Sequence, residues 1–348
     1  MTEPRDQSPA TSEQAHIRET RRSVAISGFM VVRNVVAQGY PFLEAIRAAL
    51  PVCDEFLVSD GYSTDGTWEA LQVLQSAHAD KVRLFRDAWR GDTRRGAIIA
   101  NMTNILKPRC RFEYCFNLQA NEVIHETTCE QIRDLPEHYP HGEMFRLPFL
   151  NLIGPDLAWH VDFRRRIFRN RRHIVSQADG YDCGYKRTLL WTHPRAFVAH
   201  LLHRAGERLA YLTRPIFRYR AIFPANYLVK LDTRTHLFRR STAAVAELRY
   251  ARRVVDGLGA AGADPRDFWT QMEPFFDAPA TNGNAVERSP AWHVPLRSTP
   301  FPDEGPDIVR PLLGGWRYDV GISLRALGAS EAVIERVRGL GASDDRRR

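Results

Sequence analysis

No apolar run in this chain of 348 residues approaches the ~18 residues that a membrane-spanning helix needs. Nor is there an internal repeat of the kind that builds solenoids and propellers. The first 22 residues are polar, charged and aperiodic; they lack the apolar core of a signal peptide and read as a disordered tail. Cysteine is scarce and unpatterned. Cys53, Cys110, Cys115, Cys129 and Cys183 are an odd number with no Cys-x-x-Cys pair, which suits free thiols in a reducing compartment rather than a disulfide framework or a zinc cluster. No helix-turn-helix pattern is present either. With 44% hydrophobic residues the chain can bury one large core or two modest ones. The expectation is a globular, soluble, cytoplasmic protein whose only membrane contact would be peripheral.

The most informative stretch is Val58 to Thr67, where an apolar run ends in an acid, a turn and a helix start. Glu55 to Ser59 reads as a buried strand, with Asp60 at its carboxyl end facing the crevice where open α/β sheets bind ligands. Ser63, Thr64 and Asp65 are good helix caps, Gly61 and Gly66 relieve the turn, and Trp68, Leu71 and Leu74 follow at helical spacing. The same segment would also serve as an ordinary strand-to-helix turn. Around it, Ser23 to Val32 reads as a strand ending in Arg33-Asn34, and Pro41 opens a helix that Pro51 stops. Lys81 to Arg86 is a third strand, Thr93 to Lys107 a helix ended by Pro108, and Phe112 to Leu118 a fourth strand leading into Gln119-Ala120-Asn121-Glu122. The order βαβαβαβ predicts a mostly parallel sheet flanked by helices, because parallel neighbours need helical crossovers. Such a sheet sets Asp60 and Asn121 along one edge.

These segments together resemble the inverting glycosyltransferases of family 2, which have the GT-A (Rossmann-like) fold. Asp60 and the Ser63-Thr64-Asp65-Gly66-Thr67 turn match the family's nucleotide-binding pattern, and Leu118 to Val123 stands where the family carries its Asp-x-Asp metal motif. The match is closest to a bacterial branch whose motif reads Gln-Ala-Asp-Glu-Val-x-His-Glu. Gln119, Ala120, Glu122, Val123, His125 and Glu126 fit it, as do Gly96, Thr103 and Asn104 in the preceding helix, and Arg166 to Asn170, Ser176, Asp179 and Gly180 further on. The resemblance covers residues 23 to about 205. It implies a nucleotide-sugar donor, an acceptor that the chain does not name (glycan, lipid-linked or small molecule), and a divalent metal, Mn²⁺ or Mg²⁺.

One departure bears on mechanism. The second motif carboxylate is Asn121 here and Gln119 replaces the first, so metal binding should be weak, with arginines neutralising the leaving diphosphate instead. Glu122 is the nearest anionic substitute; it would equally cap a following helix. Asp60 would accept hydrogen bonds from the base or ribose, with Arg33 and Asn34 on the neighbouring strand end, and Asp65 and Gln119 beside them. Arg94 and Arg95 are candidates for the diphosphate. In the resembling family a late His completes the metal shell, and His200 and His203 both qualify. The acceptor base is expected in Asp179-Gly180-Tyr181-Asp182, with Asp179 ahead of Asp182. Asn at position 121 also suits a degenerate homologue that binds donor without turning it over.

The basic excess, 49 Lys and Arg against 41 Asp and Glu, is concentrated in Arg164, Arg165, Arg166, Arg169, Arg171 and Arg172. Interleaved with Phe163, Ile167 and Phe168, this run fits donor phosphates, a solvated strand edge, or a nucleic-acid-binding or nucleic-acid-modifying protein. Alternation puts Arg165 and Arg169 inward with Ile167, and Arg166 outward with Phe168. Residues 23–213 are thus expected to form the catalytic domain and 214–348 a mainly helical extension. Within the extension, Ala244 to Val255, Asp267 to Phe276 and Glu331 to Arg338 read as helices, and residues 277–308 as a Pro/Gly-rich loop.

Overall fold

The computed structural model describes residues 24–89, 97–154, 157–177, 180, 182–186, 194, 198, 206–237, 242–272, 294–300 and 305–345. The expected N-terminal tail lies outside them. The chain starts as the alternation of its apolar runs dictates, with β1 (Ile26–Val32), α1 (Phe42–Ala49), β2 (Glu55–Asp60), α2 (Thr67–Ala77), β3 (Val82–Arg86), α3 (Ala97–Leu106) and β4 (Tyr114–Asn117). β1 pairs in parallel with β2 and β4, and β2 with β3, so Val32, Asp60 and Arg86 stand abreast at the carboxyl edge.

Both faces of this half-sheet are buried, which is why β1 and β2 read as continuous apolar runs. Met30, Phe56 and Val58 turn toward one face with α1 and α2, where Phe42, Ile46, Leu71 and Leu74 sit. Phe29 and Leu57 turn to the other, where Leu106, Phe168, Ile174 and Cys183 cover them. Gly28 permits the close fit: a Cβ there would stand 2.3 Å from the Phe56 ring.

After β4 the pattern departs from a parallel sheet. β5 (Glu122–Val123), α4 (Cys129–His138), β6 (Met144–Ile153), β7 (Leu157–Arg169), β8 (Ile174–Gln177), β9 (Asp182–Tyr185), β10 (Glu207–Leu209) and β11 (Ile216–Ala221) follow. The order across the sheet is β3-β2-β1-β4-β7-β6-β11-β5, with β10 on β6, while β8 and β9 form a separate hairpin. β7 runs antiparallel to both β4 and β6. The architecture is therefore α/β with a large mixed sheet flanked by helices, wholly parallel from β3 to β4 and mixed beyond, where β10 and β11 run parallel to β6.

The sheet does not stop at residue 213. β11 lies between β6 and β5, with Arg218 opposite Glu122. Helices α5 (Pro224–Leu237), α6 (Thr242–Ala260) and α7 (Pro265–Met272) then bury Tyr227, Leu231, Phe268 and Trp269 in a core of their own. The expected loop 277–308 contains β12 (Val294–Pro300), antiparallel to β7; residues 277–293 and 301–304 lie outside the described residues. Its two prolines, Pro295 and Pro300, suit a strand with β7 as its partner in the sheet, where a missing N–H is tolerated at an outer position. Finally a 3₁₀ turn, Asp307–Leu312, leads into α8 (Val320–Ala326) and α9 (Glu331–Asp345), which extends past the expected Arg338. Val309, Leu324, Ile334 and Val337 join the main core.

Candidate functional site

The turn after β2 is laced to the loop after β1. Asn34 N donates to Ser63 Oγ (2.8 Å), Thr64 N to Asn34 Oδ1 (2.9 Å), and Ala37 N to Asp65 Oδ2 (2.8 Å). Val35 N donates to Thr67 Oγ1 at 3.1 Å, and that hydroxyl in turn donates to Asp65 Oδ1 at 2.6 Å. Asn34 (φ 51°) and Tyr62 (φ 57°) hold left-handed backbone conformations, which the lacing stabilises. Asp65 is thus a structural knot rather than a ligand-facing group, and burial raises its carboxyl above the ordinary range despite the donors around it. Gly66 (φ 89°) lets α9 lie on this turn, since a Cβ would meet the Val337 carbonyl oxygen at 2.8 Å.

Asp60 is fully buried rather than open to the crevice. Its Oδ1 accepts from Ser63 Oγ at 2.5 Å and its Oδ2 from Arg86 Nε at 3.2 Å. It steers its turn and Arg86, and what faces outward is the layer above it. The Arg86 guanidinium lies 4.7 Å from the Tyr62 ring and 4.7 Å from the Trp68 ring, with Tyr62 53% exposed. Beside them exposed Arg33 stands 6.0 Å over Trp89, and Trp89 presses on Gly61, where a Cβ would stand 2.5 Å from its Nε1. The edge is a cationic and aromatic shelf of the kind that stacks planar rings and attracts anions.

The motif after β4 is arranged differently from what the resemblance implies. Asn121 is buried, and its Nδ2 donates to the Tyr219 carbonyl (3.1 Å) while Tyr219 N donates to the Asn121 carbonyl (2.9 Å). The amide is a strut to β11. Glu122 starts no helix: it lies in β5, fully buried, with Arg166 Nη2 at 2.5 Å and Arg218 Nε at 3.7 Å from Oε1, and Gln119 N donating to Oε2 at 3.0 Å. His125 caps the 3₁₀ turn Glu126–Thr128 by accepting from Thr127 N (3.3 Å). Gln119 does line the edge. Its Nε2 donates to the Gly180 carbonyl (3.2 Å), and its Oε1 stands 3.5 Å from Arg218 Nη2.

Arg166 corrects the expectation of an outward side chain. Both faces of β7 are covered, and Arg166 is buried 5.5 Å from the Phe149 ring. Burial disfavours the charged guanidinium, but the charge and hydrogen bond of Glu122 outweigh it and hold its pKa above the usual value. Arg164, Arg165 and Arg169 are neutralised too. Arg164 pairs with Asp162 (2.7 Å), Arg165 with Asp182 (2.9 Å) and Glu207 (3.2 Å), and Arg169 with Glu113. Only Arg171 and Arg172 are exposed, which removes the basis for a nucleic-acid surface on this strand. Asp182, offered as a base, is likewise bound: Arg165 N donates to its Oδ1 at 2.8 Å. Asp179, Arg94, Arg95, His200 and His203 lie outside the described residues.

A divalent metal fits poorly here. The oxygens of Glu122 are taken, the Asn121 amide is tied to a strand, and two guanidinium groups stand where a cation would have to enter. Among the described residues no three His, Cys, Asp or Glu side chains converge. The residues that organise this corner and that sequence reading passed over are Arg218, Asn151, whose Oδ1 accepts from Arg218 Nη1 (3.0 Å), Arg86 and Asn226. Arg218 alternates with the buried Phe217 and Tyr219 on β11, a strand period that turns it away from their face, and the register with β6 shifts at Arg220. No local signal identifies Asn226, which donates to the Ala37 carbonyl (2.8 Å) and accepts from Tyr318 N (2.7 Å) across the whole chain.

No family model matches the chain, and no curated protein matches it. Among solved structures, S. aureus TarS aligns with a TM-score of 0.36 at 12% identity, covering 77% of this chain and 46% of that one. S. aureus TarS 1-349 in complex with UDP aligns at 0.32 and 10% identity, covering 93% and 92%. The mannosyltransferase PcManGT from Pyrobaculum calidifontis, in complex with GDP-Man and Mn²⁺, aligns at 0.34 and 15% identity, covering 74% and 86%. The chain thus spans under half the length of the first of these. At these values the function has to be read from the chain's own residues.

Proposed function

We propose that the chain is an inverting glycosyltransferase that takes a sugar from a nucleotide-sugar donor seated along the carboxyl edge of β1 to β3. The observation that supports this most is the shelf of Tyr62, Arg86 and Trp68, held by buried Asp60 through Arg86 and continued by Arg33 over Trp89. A nucleobase is a flat ring next to an anionic diphosphate, and a stacked guanidinium between aromatic faces answers both features. The motif resemblance around Asp60 and Gln119 points to the same class of donor.

In this reading the acceptor hydroxyl attacks the anomeric carbon from the face opposite the diphosphate. A bond forms between the acceptor oxygen and that carbon as the carbon–phosphate-oxygen bond breaks, the proton passes to a carboxylate, and the diphosphate leaves with the electron pair. Asp179 is the carboxylate proposed for the proton, because the neighbouring Gly180 carbonyl is in contact with Gln119, whereas Asp182 is committed to Arg165. Negative charge gathers on the diphosphate in the transition state, so fixed cations beside it lower the barrier. The acceptor is a glycan, a lipid-linked or a small molecule; the acceptor-side loops carry that choice.

The test is a thermal-shift panel of nucleotides and nucleotide sugars followed by transfer assays, since a ligand that binds only the folded chain raises its apparent stability. Asp179→Asn should lower transfer ~10² to 10⁴-fold with donor affinity unchanged. Undiminished transfer would remove Asp179 from the mechanism. A second reading, a donor-binding homologue without turnover, is favoured by Asn121 serving as a strut; it predicts nucleotide binding with neither transfer nor donor hydrolysis.

A further inference from the structure

The acids at the carboxyl edge of β1 to β3 are spent inside the protein. Asp60 is sealed, with Oδ1 accepting from Ser63 Oγ at 2.5 Å, and Oδ2 from Ser63 N at 3.1 Å and Arg86 Nε at 3.2 Å. Asp65 is buried in its knot with Thr67 and Ala37. Asp87, the residue after β3, accepts from Ser59 Oγ at 2.7 Å and from both terminal nitrogens of Arg109, at 2.7 and 2.8 Å. A nucleobase N–H that arrives here meets no free carboxylate among these three.

What the edge offers instead is donors. Arg86 spends only Nε, on Asp60; its Nη1 and Nη2 have no hydrogen bond or ion pair among the described residues, and the side chain is 32% exposed. The Tyr62 and Trp68 rings, each 4.7 Å from the guanidinium, and the bond to Asp60 hold its plane, so the two free groups form a rigid fork. The Trp89 indole N–H, buried against Gly61, likewise lacks an acceptor among the described residues. A fork of this kind answers two acceptors set side by side in one plane. Guanine carries that pair in O6 and N7. Adenine replaces one of them by an amino group, a donor that opposes the fork, and uracil has O4 flanked by a ring C–H and by N3–H.

We infer that Arg86 reads the nucleobase of the donor through Nη1 and Nη2, and that the site selects guanine over uracil and adenine. The inference rests on the nucleotide-sugar reading and names its nucleotide. Tyr62, 53% exposed, leaves ring surface on which the base stacks while its edge meets the fork. Because the guanidinium is already held, little freedom is lost when the base arrives.

The experiment is calorimetric titration of the full chain with guanosine, uridine and adenosine diphosphates, which share the ribose and diphosphate and differ only in the base. Guanosine diphosphate should bind ~10- to 100-fold more tightly than the other two, the scale of one bidentate pair. Arg86→Gln should erase that preference by weakening guanosine diphosphate alone. Arg86→Lys, a point charge without a fork, should erase it too, and it keeps a cation beside Asp60 if Arg86→Gln does not fold. Equal affinity for the three diphosphates, or a preference for uridine or adenosine diphosphate, overturns the inference while leaving the donor reading standing. So does an equal loss for all three in the Arg86 variants, which would put Arg86 on the diphosphate instead, and so does a preference for guanine that both variants retain. Failure of all three to bind overturns the donor reading and this inference with it.

Discussion

Glu122 is the residue on which the motif resemblance and the structure make opposite demands, and Glu122→Gln separates them. Its side chain and that of Arg166 are both fully buried and in contact at 2.5 Å, so the amide substitution keeps volume and shape while stripping Arg166 of its counterion. Removing one partner of a buried pair costs about 3 to 5 kcal/mol, because the remaining charge stays desolvated. Arg218, at 3.7 Å from the same oxygen, loses this ion pair as well. Arg166→Met removes the buried cation, and Glu122 then retains Arg218 and the Gln119 amide, so this variant should lose less. The double variant Glu122→Gln with Arg166→Met should be more stable than the two single losses added together imply, with a coupling of roughly 1 to 3 kcal/mol. Urea unfolding followed by fluorescence gives these differences from the midpoints, with slopes unchanged if the compactness of both states is unchanged. A loss below about 1 kcal/mol for Glu122→Gln, or simple additivity, would refute the role of structural counterion and return Glu122 to the pool of metal ligands.

Asn226→Ala should destabilise by roughly 2 to 4 kcal/mol in the same assay, since it frees the Ala37 carbonyl and the Tyr318 amide in a buried setting; a change within experimental scatter would show that the loop does not depend on this clip. Gly61→Ala should displace Trp89 from its seat and weaken nucleotide binding, read as lost indole fluorescence response and a smaller thermal shift; an unaltered response refutes the packing. Glu44→Gln should stabilise the chain, and more so as pH rises. Burial lifts the Glu44 carboxyl above 4.5 even though Ser323 hydrogen-bonds it and Arg47 is near, and the adjacent Tyr318 phenol is raised by burial and by Glu44 itself. A carboxyl whose folded pKa is raised favours folding below its unfolded value and loses that contribution as pH climbs through the folded value. Melting temperatures of both proteins at pH 4.5 and 8 should therefore diverge upward; a constant gap would sink the claim.

The turn after β2 and the helices around it were legible because their signals are local. Strand period and the glycines Gly61 and Gly66 act within one or two turns of chain, and α1, α2 and the first four strands lie within a few residues of where the alternation puts them, although α2 is capped by Gly66 without a side-chain hydrogen bond. The aromatic and cationic residues at the carboxyl edge were legible only in part, since Arg86 was the last residue of an expected strand, with nothing in its neighbourhood to show that Asp60, Tyr62 and Trp68 would gather around it.

What only the tertiary structure decided is which charges meet. Glu122 finds Arg166 44 residues away, and Asn121 finds Tyr219 98 residues away, because β7 turns antiparallel and β11 enters the sheet between β6 and β5. A strand's own sequence specifies its two faces, but a strand carries no local record of its neighbour, and when both faces are covered, polar and apolar alternation no longer tells inside from outside. Arg166 is the clearest case: its neighbours marked it as outward, and the second layer over β7 buried it against a carboxylate that helps to keep it charged. The chain alone determined that an acid, a turn and a helix would stand at a strand end. The pairing of distant strands decided that the acid would be buried beneath an arginine, and that the motif carboxylate would be a counterion.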